Sequence, residues 1–116
     1  IITYGSWVRE TLKAIKDSKY NIEVIDLRTL KPLDTKAILN SVSRTGRCII
    51  VHEAPKTLGL ASEIIALINE KELLSLEAPI QRVTGYDIVV PLPKLEKYYM
   101  PNIDRIKKAI DKVMSF

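Results

Sequence analysis

The stretch Arg47 to Gly59, RCIIVHEAPKTLG, constrains the fold of this chain more than any other. Cys48, Ile49, Ile50 and Val51 form a short, unbroken apolar run, with Gly46 before it and Pro55 and Gly59 after it. A run that short and that apolar suits a strand buried on both faces, as strands of parallel sheets are. Its polar end, His52-Glu53, is then expected at the carboxyl edge of the sheet. Pro55 keeps a helix from starting there at once.

The rest of the chain alternates around that strand. Ile1 to Tyr4 is predicted as the end of a strand, closed by Gly5. Trp7, Val8, Leu12 and Ile15 recur at helical spacing, with Arg9, Glu10, Lys13 and Lys16 outside. Ile22 to Leu27, rich in β-branched residues, is predicted as a second strand. Asp34 is placed to cap the next helix, Leu33 to pack on Ile38 as a hydrophobic staple, and Gly46 to end it. After the strand at 48–52, Leu60, Ala61, Ile64, Ile65 and Ile68 give a helix near residues 60–71 a broad apolar face, so it is expected to be the most deeply buried. Pro79 precedes a fourth strand, Ile80 to Thr84, ended by Gly85. The last helix begins at Pro101-Asn102, with Asn102 as cap and Ile103, Ile106, Ile110 and Val113 on one face. Strand and helix alternating in this way predict an α/β fold, three layers of α/β/α around a mostly parallel sheet of four to five strands with right-handed crossovers. The pattern does not fix the strand order.

With 116 residues, the whole span 1–116 reads as one domain. It opens with Ile1-Ile2 in strand-like sequence, and reads as the end of a longer protein. An apolar fraction of 47% excludes a disordered chain. Lys and Arg number 18 against 14 Asp and Glu, but no basic block is longer than Lys107-Lys108. The excess therefore reads as a solvated exterior, with no nucleic acid as partner. No apolar run approaches the roughly 18 residues of a membrane span, so no membrane partner is expected. The single cysteine, Cys48, cannot pair within the chain and points to a reducing compartment, the cytoplasm.

Signals for chemistry are sparse. Gly5-Ser6-Trp7 follows the first strand where a dinucleotide site would carry G-x-G-x-x-G, and Trp7 blocks close phosphate approach. His52-Glu53 has Lys56 where H-E-x-x-H needs its second His, and Pro55 breaks the helix that motif requires. His52, the only His, reads as a structural residue at a strand end rather than a general base. Cys48 lies within the apolar strand, where burial raises a thiol's pKa and disarms it as a nucleophile. Asp26 follows the second strand, but the first ends in Thr3-Tyr4 without acids, so the acidic pocket of a phospho-acceptor domain is missing. Tyr98-Tyr99 reads as packing rather than a base-stacking platform.

The segments ITYG, EVIDLRTLKPLD, SVSRTGR, VHEAPKTLGLASEI, LEAPIQRVTGYD and LEKYYMPNIDRI, in this order, resemble the C-terminal domain of the transketolase superfamily. They are most similar to the β subunit of the E1 component of 2-oxo acid dehydrogenases, and HEAP with GYD leans toward the branched-chain members over the pyruvate ones. The resemblance implies a decarboxylase of α2β2 type that uses thiamine diphosphate and Mg2+ and passes an acyl group to the lipoyl group of an E2 component. It would work in the cytoplasm, or in the mitochondrial matrix of a eukaryote. In the family, cofactor and substrate lie between the α subunit and the N-terminal domain of β. That domain is not in this chain, so no catalytic, cofactor or metal residue carries over and the chain alone is expected to be inactive. Family members usually have Thr-Pro after GYD, where this chain has Ile88-Val89. A nucleic-acid-binding module of the anticodon-binding kind shares the alternation and is the alternative; an unrelated interaction domain is the third.

Two contact surfaces are expected. Pro91 and Pro93 bar the stretch from Ile88 onward from a central strand, which leaves an extended surface segment whose valines lack a partner. Together with the HEAP loop it is expected to pack against other subunits or against the domain that this chain lacks, with His52, Glu53, Pro55, Tyr86, Asp87, Val89, Val90 and Pro91 as the expected subunit interface. The second surface lies at the opposite, amino edge of the sheet, where helix C-termini gather. There Glu77 and the terminal carboxylate of Phe116 would add to the negative end of the last helix and attract Lys and Arg. The resemblance matches Glu77 and Phe116 to the residues that contact the peripheral subunit-binding domain of E2.

Overall fold

The computed structural model describes all residues 1–116. In chain order the elements are β1 (Ile2–Thr3), α1 (Trp7–Ile15), β2 (Ile25–Asp26), α2 (Thr35–Thr45), β3 (Ile49–Pro55), α3 (Leu60–Glu72), β4 (Gln81–Gly85), α4 (Pro93–Tyr99) and α5 (Ile103–Met114), with one 3-10 turn at Leu73–Ser75. The four strands are parallel and ordered β2-β1-β3-β4. The chain therefore reverses its direction of winding between β1 and β3, the point where the loops of such sheets diverge.

Register decides which side chains face which layer. Ile2 pairs with Ile50, and Thr3 with Val51. Because strand side chains alternate, Ile2, Cys48 and Ile50 pack one face against Ile38 and Val42 of α2 and Ala61, Ile64 and Ile68 of α3. Ile49, Val51 and Val83 pack the other face against Ala14 of α1 and Ile106, Ile110 and Val113 of α5. The three layers expected from the alternation are present. Each wholly enclosed isoleucine contributes about 1.5–3 kcal/mol relative to an exposed one. On α3, Ala61, Ile64 and Ile68 are all fully enclosed.

The helix ends follow the sequence signals. Asp34 Oδ1 accepts from the Ala37 N–H at 3.0 Å, and Gly46 closes α2 in the left-handed region at φ 65. Asn102 Oδ1 accepts from the Arg105 N–H at 2.9 Å at the start of α5.

Four elements differ from the sequence-based expectations. The strand expected over Ile22–Leu27 contracts to Ile25–Asp26, because it is an edge strand whose partner β1 offers only Ile2 and Thr3. On α1 the residues enclosed are Thr11 and Ala14, while Leu12 is 51% exposed. Small side chains face the sheet there, and Leu12 sits about 100° round the helix from Thr11. The central strand runs past His52 to Pro55, with its register shifting between Val51 and Pro55. Helix α4 was not expected at all. Pro93 does bar a strand, but a proline at the first helical position loses no hydrogen bond and has the right φ, so it starts a helix instead. That helix separates the tyrosine pair: Tyr99 is buried, whereas Tyr98 is exposed and is not a packing residue within this chain.

Candidate functional site

At the carboxyl edge, the loops after β3 and β4 are brought side by side and tied. Asp87 Oδ1 accepts from the Thr57 N–H at 2.8 Å, and Asp87 Oδ2 from the Thr57 hydroxyl at 2.8 Å. The Thr57 N–H, then its hydroxyl, hold the Asp87 carboxyl below its usual range. Glu53 is exposed, and its Oε2 accepts from Trp7 Nε1 at 3.2 Å, so α1 is joined to the same edge. Pro55, Tyr86, Asp87, Val89 and Val90 are exposed too, and Pro91 partly so. Val89 is 91% exposed and Leu92 82%, and Ile88, Leu95 and Tyr98 extend the apolar surface along the segment. Of the residues expected at a subunit interface, all but one reach solvent along this edge.

His52 is the exception, and the expectation that it meets a partner is corrected: the residue is fully enclosed. Its Nε2 accepts from the Ala61 N–H at 3.2 Å. That bond satisfies one of the unpaired donors of α3, whose N-cap, Gly59, has no side chain to do so. A Cβ at Gly59 would lie 2.4 Å from Pro55 O and 2.8 Å from His52 Cε1, so the imidazole can reach the helix only across a glycine. The ring stacks on Tyr4, with centroids 6.1 Å apart, and Nδ1 makes no hydrogen bond of normal geometry. Burial, and then the Arg82 guanidinium, push the imidazole pKa down; the Ala54 backbone and Glu53 oppose this without cancelling it.

A neutral, buried His that must charge in acid makes stability depend on pH. With the folded pKa depressed below the unfolded value of about 6.5, the unfolded chain binds more protons. The stabilisation is complete above that pH and is lost as pH falls through the folded pKa. The midpoint of urea unfolding is expected to drop from pH 7.5 to pH 5.0. In His52→Leu the midpoint should be lower at pH 7.5 and fall less between the two. Equal falls in both proteins would show that His52 does not titrate on unfolding.

At the amino edge, the Glu77 N–H donates to Gly46 O at 2.7 Å, which sets the loop before β4 against the end of α2. The Glu77 carboxylate does not stand alone beside the last helix. Arg47 Nη1 donates to Glu77 Oε2, and Arg47 Nε donates to Val113 O near the end of α5. Arg47 is the less exposed of the pair, 27% against 61% for Glu77, so it underlies the carboxylate and leaves Glu77 outermost. Two negative groups are expected here from the sequence, and one of them, Glu77, is paired with a cation of its own chain. The carboxylate still has lone-pair sites for a second donor. Phe116, exposed, follows α5. Arg47 and Glu77 lie 30 positions apart with no shared periodicity, so no pattern in the sequence pointed to the pair.

No three His, Cys, Asp or Glu side chains are grouped to hold a metal ion. The chain's four glycines stand apart, with no loop of them to cradle a diphosphate. Burial pushes the Cys48 thiol up to about 11, which leaves it unreactive. The residues present do not fit thiamine diphosphate or Mg2+, and no catalytic step is assigned to them. No helix is long and apolar enough to cross a membrane.

A parallel three-layer domain with two tied, solvent-exposed edges narrows the class, and comparison defines it. The family model described as transketolase, C-terminal domain, matches residues 1–106, and the chain belongs to that family. This membership displaces the anticodon-binding alternative. Over its whole length the chain is 44% identical to the pyruvate dehydrogenase E1 component subunit beta of Bacillus subtilis (strain 168), and covers 37% of that protein. The corresponding subunit of Acholeplasma laidlawii is 44% identical over 97% of the chain, which covers 36% of it. That of Staphylococcus aureus (strain Mu50 / ATCC 700699) is 40% identical over 100% of the chain, which covers 37% of it. The chain thus spans just over a third of the length of these relatives. Among solved structures, a split gene transketolase, described as an inactive beta4 tetramer, superposes with a TM-score of 0.81 over 98% of the chain and 37% of its own, at 22% identity. That likeness concerns the fold.

Proposed function

We propose that this chain is the assembly and docking domain of the β subunit of a 2-oxo acid dehydrogenase E1 component. The observation that carries the proposal is the full-length identity of 40–44% with pyruvate dehydrogenase E1 β subunits. The complete enzyme would use thiamine diphosphate and Mg2+ to decarboxylate a 2-oxo acid and pass the acyl group to lipoyl-E2. The relatives favour pyruvate over the branched-chain acids that HEAP and GYD suggested, and relative turnover of pyruvate and 3-methyl-2-oxobutanoate decides between them. In this reading chemistry takes place outside residues 1–116, and the isolated chain is inactive. The enzyme works in a reducing compartment, the cytoplasm, consistent with a lone and buried Cys48.

The two edges divide the work. The carboxyl edge, through Glu53, Pro55, Tyr86, Asp87, Val89, Val90 and Pro91, packs against the other subunits of an α2β2 enzyme. The amino edge, through Glu77 and Phe116, receives the subunit-binding domain of E2. The test of assembly is the double variant Val89→Ser/Val90→Ser in the intact β-containing enzyme. Both side chains are exposed in the chain alone, so the thermal midpoint of the dissociated β subunit should scarcely move. Burial of one valine contributes about 1.5 kcal/mol or more, so subunit association should weaken at least tenfold by sedimentation. Unchanged association would remove the segment from the interface.

A further inference from the structure

Between Val51 and Gly59 one side chain is enclosed, that of His52. Glu53 to Leu58 all reach solvent, wholly or in part. Leu58, 96% exposed, is held in the left-handed region at φ 58, where a non-glycine residue is strained. The register of β3 on β4 shifts between Val51 and Pro55, so the ladder is interrupted where His52, Glu53 and Ala54 stand. Polar side chains fasten the stretch instead. Arg82 Nη1 donates to Lys56 O at 2.9 Å and to the Ser62 hydroxyl at 3.2 Å. Asp87 holds Thr57, and His52 Nε2 accepts from the Ala61 N–H. A segment with no apolar anchor of its own opens more readily than the sheet behind it.

The imidazole fastening is the one that mild acid reverses. Nε2 accepts, so the single proton of the neutral ring is on Nδ1. A second proton would go to Nε2 and set two donors face to face, the ring N–H and the Ala61 N–H. It would also put a cation at the positive end of α3. The groups around the ring do not compensate. Arg82, from β4, is a cation already, and Tyr4, from β1, stays neutral because burial, then Glu53, push its phenol up. Glu53, on the same strand, is exposed and held by Trp7. Glu63, in the first turn of α3, is exposed, off the face that Ala61, Ile64 and Ile68 bury. Asp87, held low by Thr57, stays charged in mild acid, so its own tie does not titrate there.

We propose that His52 is a proton-operated latch: on taking up a proton it lets go of α3, and residues 53–60 open at the carboxyl edge while the sheet behind them stays folded. In the open form His52 titrates near its ordinary value of about 6.5, and in the closed form below it. The open form therefore binds more protons, and gains population as pH falls below about 6.5. What the latch governs rests on the reading of this edge as an assembly surface. Glu53 and Pro55 stand on the released segment, so acid loosens subunit association as well.

The test is hydrogen–deuterium exchange of the intact β-containing enzyme at pH 7.5 and 5.5, corrected for intrinsic rate, with subunit association followed by sedimentation. Wild type is compared with His52→Gln, whose amide oxygen accepts without titrating, and His52→Leu, which does neither. In wild type, exchange over residues 53–61 should rise with acid, up to about tenfold, while residues 64–72 of α3 stay unchanged. His52→Gln should exchange slowly at both pH values. His52→Leu should exchange fast at both, and carries the comparison if His52→Gln does not fold. A rise that persists in both variants, or one shared equally by residues 64–72 in wild type, would overturn the latch. If exchange behaves as expected but acid leaves wild-type association unchanged, the latch stands and this loop is removed from the assembly surface.

Discussion

Replacing Gly85 by alanine is expected to destabilise the chain by about 3 kcal/mol, the upper end of the range for overpacking a filled interior. A Cβ at Gly85 would lie 2.4 Å from Glu53 O, 2.6 Å from Tyr99 Oη and 2.7 Å from Tyr99 Cζ. The nearest of these is backbone of the neighbouring strand, and Gly85 is paired in register with Pro55 of that strand. Relief therefore requires β3 and β4 to separate at their carboxyl ends, or buried Tyr99 to leave its site. Either movement also loosens Asp87, two residues on, from Thr57. Urea denaturation of wild type and Gly85→Ala measures the effect, with an unchanged m-value showing that only stability moved. A loss below about 0.5 kcal/mol, the scatter of ordinary surface substitutions, would contradict the close approach of the two strands.

Glu77→Lys should weaken binding of the E2 subunit-binding domain by about 2–5 kcal/mol if the carboxylate is desolvated in the complex, and mainly slow association if it stays at the rim. The reversal acts twice. It removes a negative charge that lies outside Arg47 at the amino edge, and it sets a lysine beside Arg47, which then presents a second cation to a basic partner. The chain itself should lose little stability, because the Glu77 side chain is 61% exposed and exposed pairs contribute up to about 1 kcal/mol. Titration of the intact enzyme with the E2 domain, following both affinity and association rate, checks this. Unchanged values for both would take Glu77 out of the docking surface.

The layers of this fold were legible because they rest on local patterns. The apolar run Cys48–Val51, the face of Ala61, Ile64 and Ile68, and the caps Asp34, Gly46 and Asn102 each carry their own short-range signal. What was not legible depends on partners distant in sequence. The brevity of β2 follows from how little of β1 is available to pair with it. His52 has the pattern of a polar strand end, but the strand runs past it to Pro55, and its imidazole is buried where a helix terminus needs an acceptor. Arg47 and Arg105 belong by composition to the basic excess, yet Arg47 donates to the Val113 carbonyl at the amino edge and Arg105 to that of Thr84 at the carboxyl edge. Pro93 carries two signals at once: the proline that stops a strand also begins α4.

The claim that residues 1–116 serve assembly and docking while chemistry proceeds elsewhere is tested most directly by two rates in one variant. In the intact enzyme carrying Glu77→Lys, decarboxylation of the 2-oxo acid is followed with an artificial electron acceptor, and acyl transfer is followed with lipoyl-E2. The account predicts an unchanged first rate, and a second rate that falls at least tenfold at limiting E2. Equal loss of both rates would contradict it, because Glu77 would then support the chemistry itself.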